Sequence, residues 1–264
     1  MNRPLFIQGR LPYLHTRRTK RGAAMNCLFC CDSKMDRHFN GQSPAFCTFV
    51  LSKKETMNPT HPLSAVIIAN GRFPQHPYPL SCIAKADYIV CCDGAANDFI
   101  AGGGMPDAIV GDCDSISEEN RRLYADIIHP DADQETNDLT KAVLFCVRKG
   151  IREITIVGGT GKREDHTLGN ISLLAEYMEW AQVQMVTNYG IFTPIRHTVQ
   201  FGSFRGQQVS LFAIGPEEVT TLNLKYPLEK KALTNWWQGT LNESLGDTFT
   251  VETSGRLIVF QVYG

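Results

Sequence analysis

Asp107-Ala108-Ile109-Val110-Gly111-Asp112-Cys113-Asp114-Ser115 is a short apolar run that breaks off in a glycine and two acids. A run of this length without alternation suits a strand covered on both faces, as in a parallel sheet. The carboxylates of Asp112 and Asp114 stand at i and i+2 just past it, and Gly111 permits the turn that would bring both to one ion. The arrangement recurs on either side. Ser64-Ala65-Val66-Ile67-Ile68-Ala69 ends in Asn70-Gly71, and Asp87-Tyr88-Ile89-Val90-Cys91-Cys92 ends in Asp93-Gly94-Ala95-Ala96-Asn97. Arg152-Glu153-Ile154-Thr155-Ile156-Val157 ends in Gly158-Gly159-Thr160-Gly161-Lys162-Arg163, and Val183-Gln184-Met185-Val186-Thr187 follows. Helical stretches separate these runs, near 94–102, 117–125, 137–149 and 166–181. Strand and helix in alternation predict a parallel α/β sheet. Ligands of such sheets bind beyond the carboxyl ends of the strands.

After about residue 190 the helices stop. Residues 208–214, 218–224, 248–253 and 257–263 read as strands, several alternating by twos, with Gly, Pro and Asn between them. That pattern predicts an antiparallel sandwich or barrel. The expected fold class is therefore α/β: a parallel α/β sheet domain at 61–190, followed by an antiparallel β-sandwich domain at 191–264.

Residues 1–60 form a basic N-terminal extension without sustained periodicity. Residues 1–56 carry ten Lys and Arg against three Asp and Glu, which leaves the remainder at a net −8. Three readings compete: a disordered arm, a targeting peptide, or untranslated sequence ahead of a start at Met57, which we favour. The whole chain has a formal net charge of −1, which gives no hint of a nucleic-acid partner. No apolar run approaches a membrane span. Five of the nine cysteines, Cys82, Cys91, Cys92, Cys113 and Cys146, fall in or beside apolar segments. They read as packed, reduced thiols of a cytoplasmic protein. Cys27, Cys30 and Cys31, with His38 and Cys47 after them, form a weak zinc pattern that lacks a second pair at metal spacing.

Five acidic patterns within 75 residues predict a carboxylate-lined cleft at one edge of the sheet. Crowded carboxylates resist ionising unless a cation sits among them. Such a site commonly holds Mg²⁺ on a phosphate substrate. Asp112, Asp114 and Asp138 are the expected metal ligands. The competing reading of the 111–115 turn is a solvated bend, with Ser115 or Ser117 capping the next helix. Asp138 and Lys141, i and i+3 at a helix start, share a face and offer an acid for metal and an ammonium for phosphate. Gly158 to Lys162 is not a P-loop, because Arg163 stands where Ser or Thr must follow the Lys. A glycine-rich strand-to-helix turn still cradles phosphate through its amides, and Arg163 adds a planar fork.

The order of these motifs resembles the thiamine pyrophosphokinase (thiamin diphosphokinase) family over about residues 64–263. Asp93 to Asn97 resembles its D-G-[GA]-A-N element. Pro106 to Ile116 resembles P-x-x-[IV]-x-G-D-x-D-S-[IL], and Gln134 to Lys141 the D-x-T-D-[FL]-x-K-A region. Arg163 to Asn170 is similar to G-R-x-D-H-x-x-x-N. Thr220 to Leu228 looks like the G-L-K-[YW]-x-L strand, and Leu241-Asn242-Glu243-Ser244 a form of the S-N-E turn. Departures stand at Asn137 for a usual Thr, at Asn223 for a common Gly, at Lys162 between the family's Gly and Arg, and around Asn242.

The resemblance implies transfer of the β,γ-diphosphoryl group of ATP to thiamine, giving thiamine diphosphate and AMP. It also implies a homodimer that holds thiamine between one subunit's nucleotide-binding α/β domain and the other's thiamine-binding sandwich. Asp112, Asp114, Asp138, Lys141, Arg163 and Asp165 are the expected catalytic residues. Asp93, Asn97, Gln134, Asn137, His166, Asn170, Tyr226, Asn242 and Ser244 are the expected ligand-binding set, with Tyr226 stacked on a thiamine ring. Two other readings remain at this stage: a haloacid dehalogenase-like Mg²⁺-dependent phosphohydrolase passing through an aspartyl phosphate on Asp112, and a non-catalytic nucleotide or thiamine sensor.

Overall fold

The structure is a computed structural model that describes residues 64–215 and 218–264. The expectations for Cys27, Cys30, Cys31 and the start at Met57 lie outside the described residues. Fourteen strands occur among the described residues: β1 Ser64–Ile68, β2 Tyr88–Cys92, β3 Ala108–Gly111, β4 Ile128–Pro130, β5 Glu153–Val157, β6 Gln182–Val186, β7 Gly190–Ile195, β8 Val199–Gly202, β9 Gln208–Ala213, β10 Glu218–Leu222, β11 Lys231–Ala232, β12 Asn242–Glu243, β13 Thr248–Thr253 and β14 Leu257–Val262. The helices are α1 Pro77–Lys85, α2 Ala95–Ala101, α3 Glu118–Leu123, α4 Asp138–Arg148 and α5 Glu164–Tyr177. Among the described residues, no helix is long and apolar enough to cross a membrane.

Strands β6-β5-β1-β2-β3-β4 lie parallel in that order. The chain builds outward from β1 through β2, β3 and β4. It then crosses back through α4 to place β5 on the other side of β1. This reversal between β1 and β5 is the topological switch point of an open α/β sheet. The continuous apolar runs are buried on both faces, as predicted. Ala65, Ile67, Val90, Cys92 and Val110 pack toward one core with Leu139, Val143 and Cys146 of α4 and Leu174 and Tyr177 of α5. Val66, Ile68, Ile89, Cys91 and Ile109 pack toward the other with Ile83 of α1 and Ala95, Ala96 and Phe99 of α2.

The change to antiparallel pairing happens inside this sheet. Strand β7 runs antiparallel to β6, and β14, β9 and β12 continue outward to make ten strands in one sheet. A second sheet, ordered β11-β10-β13-β8, completes the sandwich. Its core joins Phe201, Val219, Phe249 and Val251 to Val209, Leu211, Leu257 and Val259 of the long sheet. Phe201 and Phe249 are cross-strand partners with rings stacked 5.1 Å apart.

Helix α1 and strand β7 are among the elements outside the stretches read from the sequence. A proline in a helix interior usually breaks it. Pro77 instead occupies the first turn, where its missing N–H costs nothing, and His76 Nδ1 accepts from Tyr78 N at 3.2 Å. Strand β7 carries Pro194 and little alternation, and what orders it is its place between β6 and β14.

Candidate active site at the switch point

Strands β1, β2, β3 and β5 deliver their carboxyl ends to one cavity of about 420 Å³. The end of β1 gives Ala69, Asn70 and Gly71, and the loop after β5 gives Gly159, Thr160, Lys162 and Arg163. The opening of α4 gives Asn137, Asp138 and Lys141. Gly71 lets the two loops close. Its N–H donates to Gly158 O at 2.7 Å, and a Cβ there would lie 2.3 Å from that same oxygen.

Three carboxylates meet at one side. Asp93, Asp112 and Asp138 each place an oxygen within 4.8 Å of the others. Gly111 makes this approach possible, since a Cβ on it would stand 2.9 Å from Asp93 Cβ and 3.0 Å from Asp138 Oδ1. Asp93 is buried, and its backbone is left-handed with φ 34°. Its Oδ2 accepts from Ser115 N at 3.2 Å, while its Oδ1 is buried with no hydrogen-bond partner. Burial, then the nearby Asp138 charge, push the Asp93 carboxyl above its ordinary value, against the pull of its hydrogen bonds with Ser115 and Gly94. A buried acceptor without a donor is costly, and a divalent cation among three oxygens would satisfy it. The residues present therefore fit a hard cation.

Asp114 is not one of the three. Its Oδ1 accepts from Ser115 Oγ at 2.7 Å, and its N–H donates to Asp112 Oδ1 at 3.3 Å, so it braces the turn. Asn97 braces the same turn from α2. Its Nδ2 donates to Ser115 O at 2.8 Å, and its Oδ1 accepts from Ser117 N and from Asn120 Nδ2. Ser117, of the two serines proposed as caps, is the N-cap of α3.

Lys141 is buried and lies 3.5 Å from Asp138 Oδ1. Asn137 caps α4, its Oδ1 accepting from Thr140 N at 2.8 Å. Arg163 forks onto Asp165 through Nε at 3.1 Å and Nη2 at 2.5 Å, which lowers the Asp165 carboxyl below its ordinary range. Gln134, His166 and Asn170 line the cavity, and Asn170 Nδ2 also holds Gly159 O at 2.9 Å. Lys162, whose Nζ donates to Asn70 Oδ1 at 3.1 Å, and Thr160 were not among the predicted site residues. Asn70 ends the first apolar run, as the other acids and polar residues end theirs, and that position was the available signal.

Tyr226, Asn242 and Ser244 do not line this cavity. Asn242 is buried, and its amide clamps the Tyr226 backbone: Oδ1 accepts from Tyr226 N at 3.0 Å and Nδ2 donates to Tyr226 O at 2.6 Å. Ser244 is fully buried, its Oγ donating to Gly246 O at 3.0 Å. The Tyr226 ring is left outward and 60% exposed.

Comparison with known proteins agrees with this arrangement. Residues 80–186 match the family model for the thiamin pyrophosphokinase catalytic domain, and residues 190–260 match that for the thiamin pyrophosphokinase substrate-binding domain. A thiamine pyrophosphokinase 1 of Oryza sativa subsp. japonica is 30% identical over 200 residues, covering 64% of this chain and 75% of that protein. The thiamine pyrophosphokinase of Bacillus subtilis is 29% identical over 142 residues, covering 50% of this chain and 66% of its own. In fold, the yeast thiamin pyrophosphokinase structure superposes with a TM-score of 0.65 at 18% identity, covering 78% of this chain and 88% of that one. The Geobacillus thermodenitrificans structure gives 0.64 at 22%, covering 76% and 98%. The two matched models together take in both halves of the described fold, and the chain belongs to the thiamin pyrophosphokinase family of enzymes.

Proposed function

We propose that this chain transfers the diphosphoryl group of ATP to the hydroxyl of thiamine, giving thiamine diphosphate and AMP. The observation that carries the proposal is the Asp93, Asp112 and Asp138 cluster, of which Asp112 and Asp138 line the same cleft as Lys141 and Arg163. A cluster of that kind suits a dication, and the two cations suit the phosphate oxygens it would share. Mg²⁺ held by the three acids would neutralise charge on the outer phosphates of ATP.

The side chains then act by position and charge. Lys141, fixed on the first turn of α4, and Arg163, aimed by Asp165, offset the charge of the transferred group. Gln134 and His166 orient the alcohol. The alcohol oxygen bonds to the β-phosphorus, and the bond from that phosphorus to the oxygen shared with the α-phosphorus breaks. That oxygen leaves on AMP with its electron pair, and the hydroxyl proton passes to solvent.

The active form in this reading is a homodimer in the cytoplasm. Tyr226, Trp237 and Leu241 are large apolar side chains left exposed on the antiparallel half, and a second copy would cover them. Tyr226 of the partner subunit would stack on the thiazolium, a cation over an aromatic face contributing roughly 0.5–2 kcal/mol. The free thiols of Cys91, Cys92 and Cys146 are buried and held protonated, as suits a reducing compartment.

The test is to mix protein, Mg²⁺-ATP and thiamine and measure AMP and thiamine diphosphate together. Equal amounts of both are expected. ADP with thiamine monophosphate, free phosphate with a phosphorylated Asp112, or tight binding without turnover would each overturn the proposal.

A further inference from the structure

Thr140 and Tyr177 form a polar pair in a core that is otherwise apolar. Thr140 Oγ1 and the Tyr177 hydroxyl lie 2.7 Å apart, and both residues are buried. Tyr177 belongs to the cluster that also holds Leu139, Val143 and Cys146 of α4 and Leu174 of α5. Burial pushes its hydroxyl well above the ordinary value, against the pull of the bond to Thr140, so the phenol stays neutral. Neither residue lines the strand-end cleft.

Packing alone does not call for this pair. Phe and Val have nearly the same shapes, and replacing both partners of a buried hydrogen bond by apolar groups of the same shape is close to neutral for stability. Threonine is also a weaker helix former than Leu or Ala. What the hydroxyls add is direction: a satisfied buried polar pair fixes one arrangement where apolar surfaces can slide. The two elements it joins carry opposite walls of the cleft. Thr140 sits between Asp138 and Lys141 on the opening turns of α4, and Tyr177 ends α5, whose first turns bring His166 and Asn170 to the same cavity. Helix α4 rests on β1, β2 and β3, whereas α5 rests on β6, β7 and β14, so the sheet holds the two helices on different strands.

We propose that Thr140 and Tyr177 are positioning residues for the reaction, their hydroxyl bond setting how Asp138 and Lys141 of α4 stand against Arg163, His166 and Asn170 on the α5 side. The inference rests on the reading of the cleft as the seat of diphosphoryl transfer. A cation held by Asp93, Asp112 and Asp138 touches α4 and the strands beneath it, and is indifferent to the bond. A phosphate chain that reaches from Lys141 to Arg163 spans both helices and depends on it.

The test compares Tyr177→Phe, Thr140→Val, the double variant and Thr140→Ser in the full-length protein. Each single loss leaves one hydroxyl unpaired in the core and should lower Tm by about 5 °C, while the double variant should return to within about 2 °C of the parent. Its kcat for thiamine diphosphate should nonetheless stay about tenfold down, the cost of a small misplacement. By calorimetry the double variant should bind Mn²⁺ alone within about twofold of the parent, and Mg²⁺-pyrophosphate about tenfold more weakly. Thr140→Ser keeps the hydroxyl and should restore parental kcat and pyrophosphate affinity. A double variant with parental Tm, kcat and pyrophosphate affinity would overturn the inference and leave the pair as packing. Equal weakening of Mn²⁺ and pyrophosphate, or a Thr140→Ser that falls as far as Thr140→Val, would overturn it too. If the double variant does not regain its Tm, Tyr177→Phe read well below its own Tm carries the same comparison of probes. If the parent forms thiamine diphosphate and the variants match it, only this inference falls. If the parent neither binds Mg²⁺-pyrophosphate nor forms thiamine diphosphate, the reading beneath it falls as well.

Discussion

The two halves of the molecule use the same residue types for different ends. At the strand ends of the parallel sheet, Asp112, Asp138 and Lys141 converge on open space, and behind them a carboxylate oxygen of buried Asp93 is left without a donor. In the antiparallel half, Asn242 and Ser244 look equally functional in the sequence, yet both side chains are spent on backbone groups. The difference is topological. Parallel strands need crossovers, so their carboxyl ends open into loops whose polar side chains are not needed by the ladder. Antiparallel strands joined by short turns keep their polar side chains beside backbone groups that must be paired.

The largest effect should come from the open half. Asp112→Asn should leave the fold intact and cut turnover by about 10²-fold or more, the scale of losing one preorganised electrostatic contact. Thermal melting and AMP formation, measured on the same sample, check both halves of that statement. A folded variant with near-normal turnover would show that the acid cluster is scaffold, as Asn242 is. Gly111→Ala probes the same cluster without touching a charge. The added methyl would press on Asp93 and Asp138, and Mg²⁺ should then be needed at about tenfold higher concentration for half-maximal rate, a loss of about 1.4 kcal/mol.

The comparison also explains what could be read without coordinates. Strands β1, β2 and β3 were legible because each is a largely buried, nearly unbroken apolar run, and the acids and polar residues at their ends were legible as exceptions to it, whereas β4, Ile128-His129-Pro130, is short and partly exposed and carries no such run. Asp93 was assigned to ligand orientation rather than to the metal. The i, i+2 spacing of Asp112 and Asp114 pointed to a local pair, whereas the observed cluster joins β2, β3 and α4 across the sheet. That three-dimensional neighbourhood leaves no mark in the spacing. Strand β7 was missed for a related reason: its pairing with β6 and β14, not its composition, makes it a strand.

A prediction on the other side sharpens the contrast. Asn242→Ala should act on stability before chemistry. It removes both the acceptor for Tyr226 N and the donor to Tyr226 O, at a cost of about 1–3 kcal/mol for backbone groups left unpaired. That corresponds to a fall in Tm of about 5 °C for a chain of this size. Thiamine KM should rise, because the exposed Tyr226 ring loses its anchored backbone, while AMP affinity stays unchanged. Loss of kcat with an unaltered Tm would place Asn242 in the chemistry after all.

The smallest effect, and the one that most directly separates an active site from a scaffold, concerns Asp93. Its carboxyl is held above the ordinary value, chiefly by burial. A carboxyl raised in the folded state binds its proton more tightly there than in the unfolded chain, so without metal it costs stability as pH rises through the folded value and costs nothing below the unfolded one. Asp93→Asn should therefore raise the Tm of the metal-free protein at pH 7 slightly and leave it unchanged at pH 3. Asparagine tolerates the left-handed backbone at this position, and the replacement amide can keep the bond from Ser115 N while donating toward Asp112 and Asp138. Adding Mg²⁺ should stabilise the parent and not the variant, because only the parent offers three carboxylates. A scaffold residue gives the opposite pattern, losing stability on substitution whether or not the ion is present.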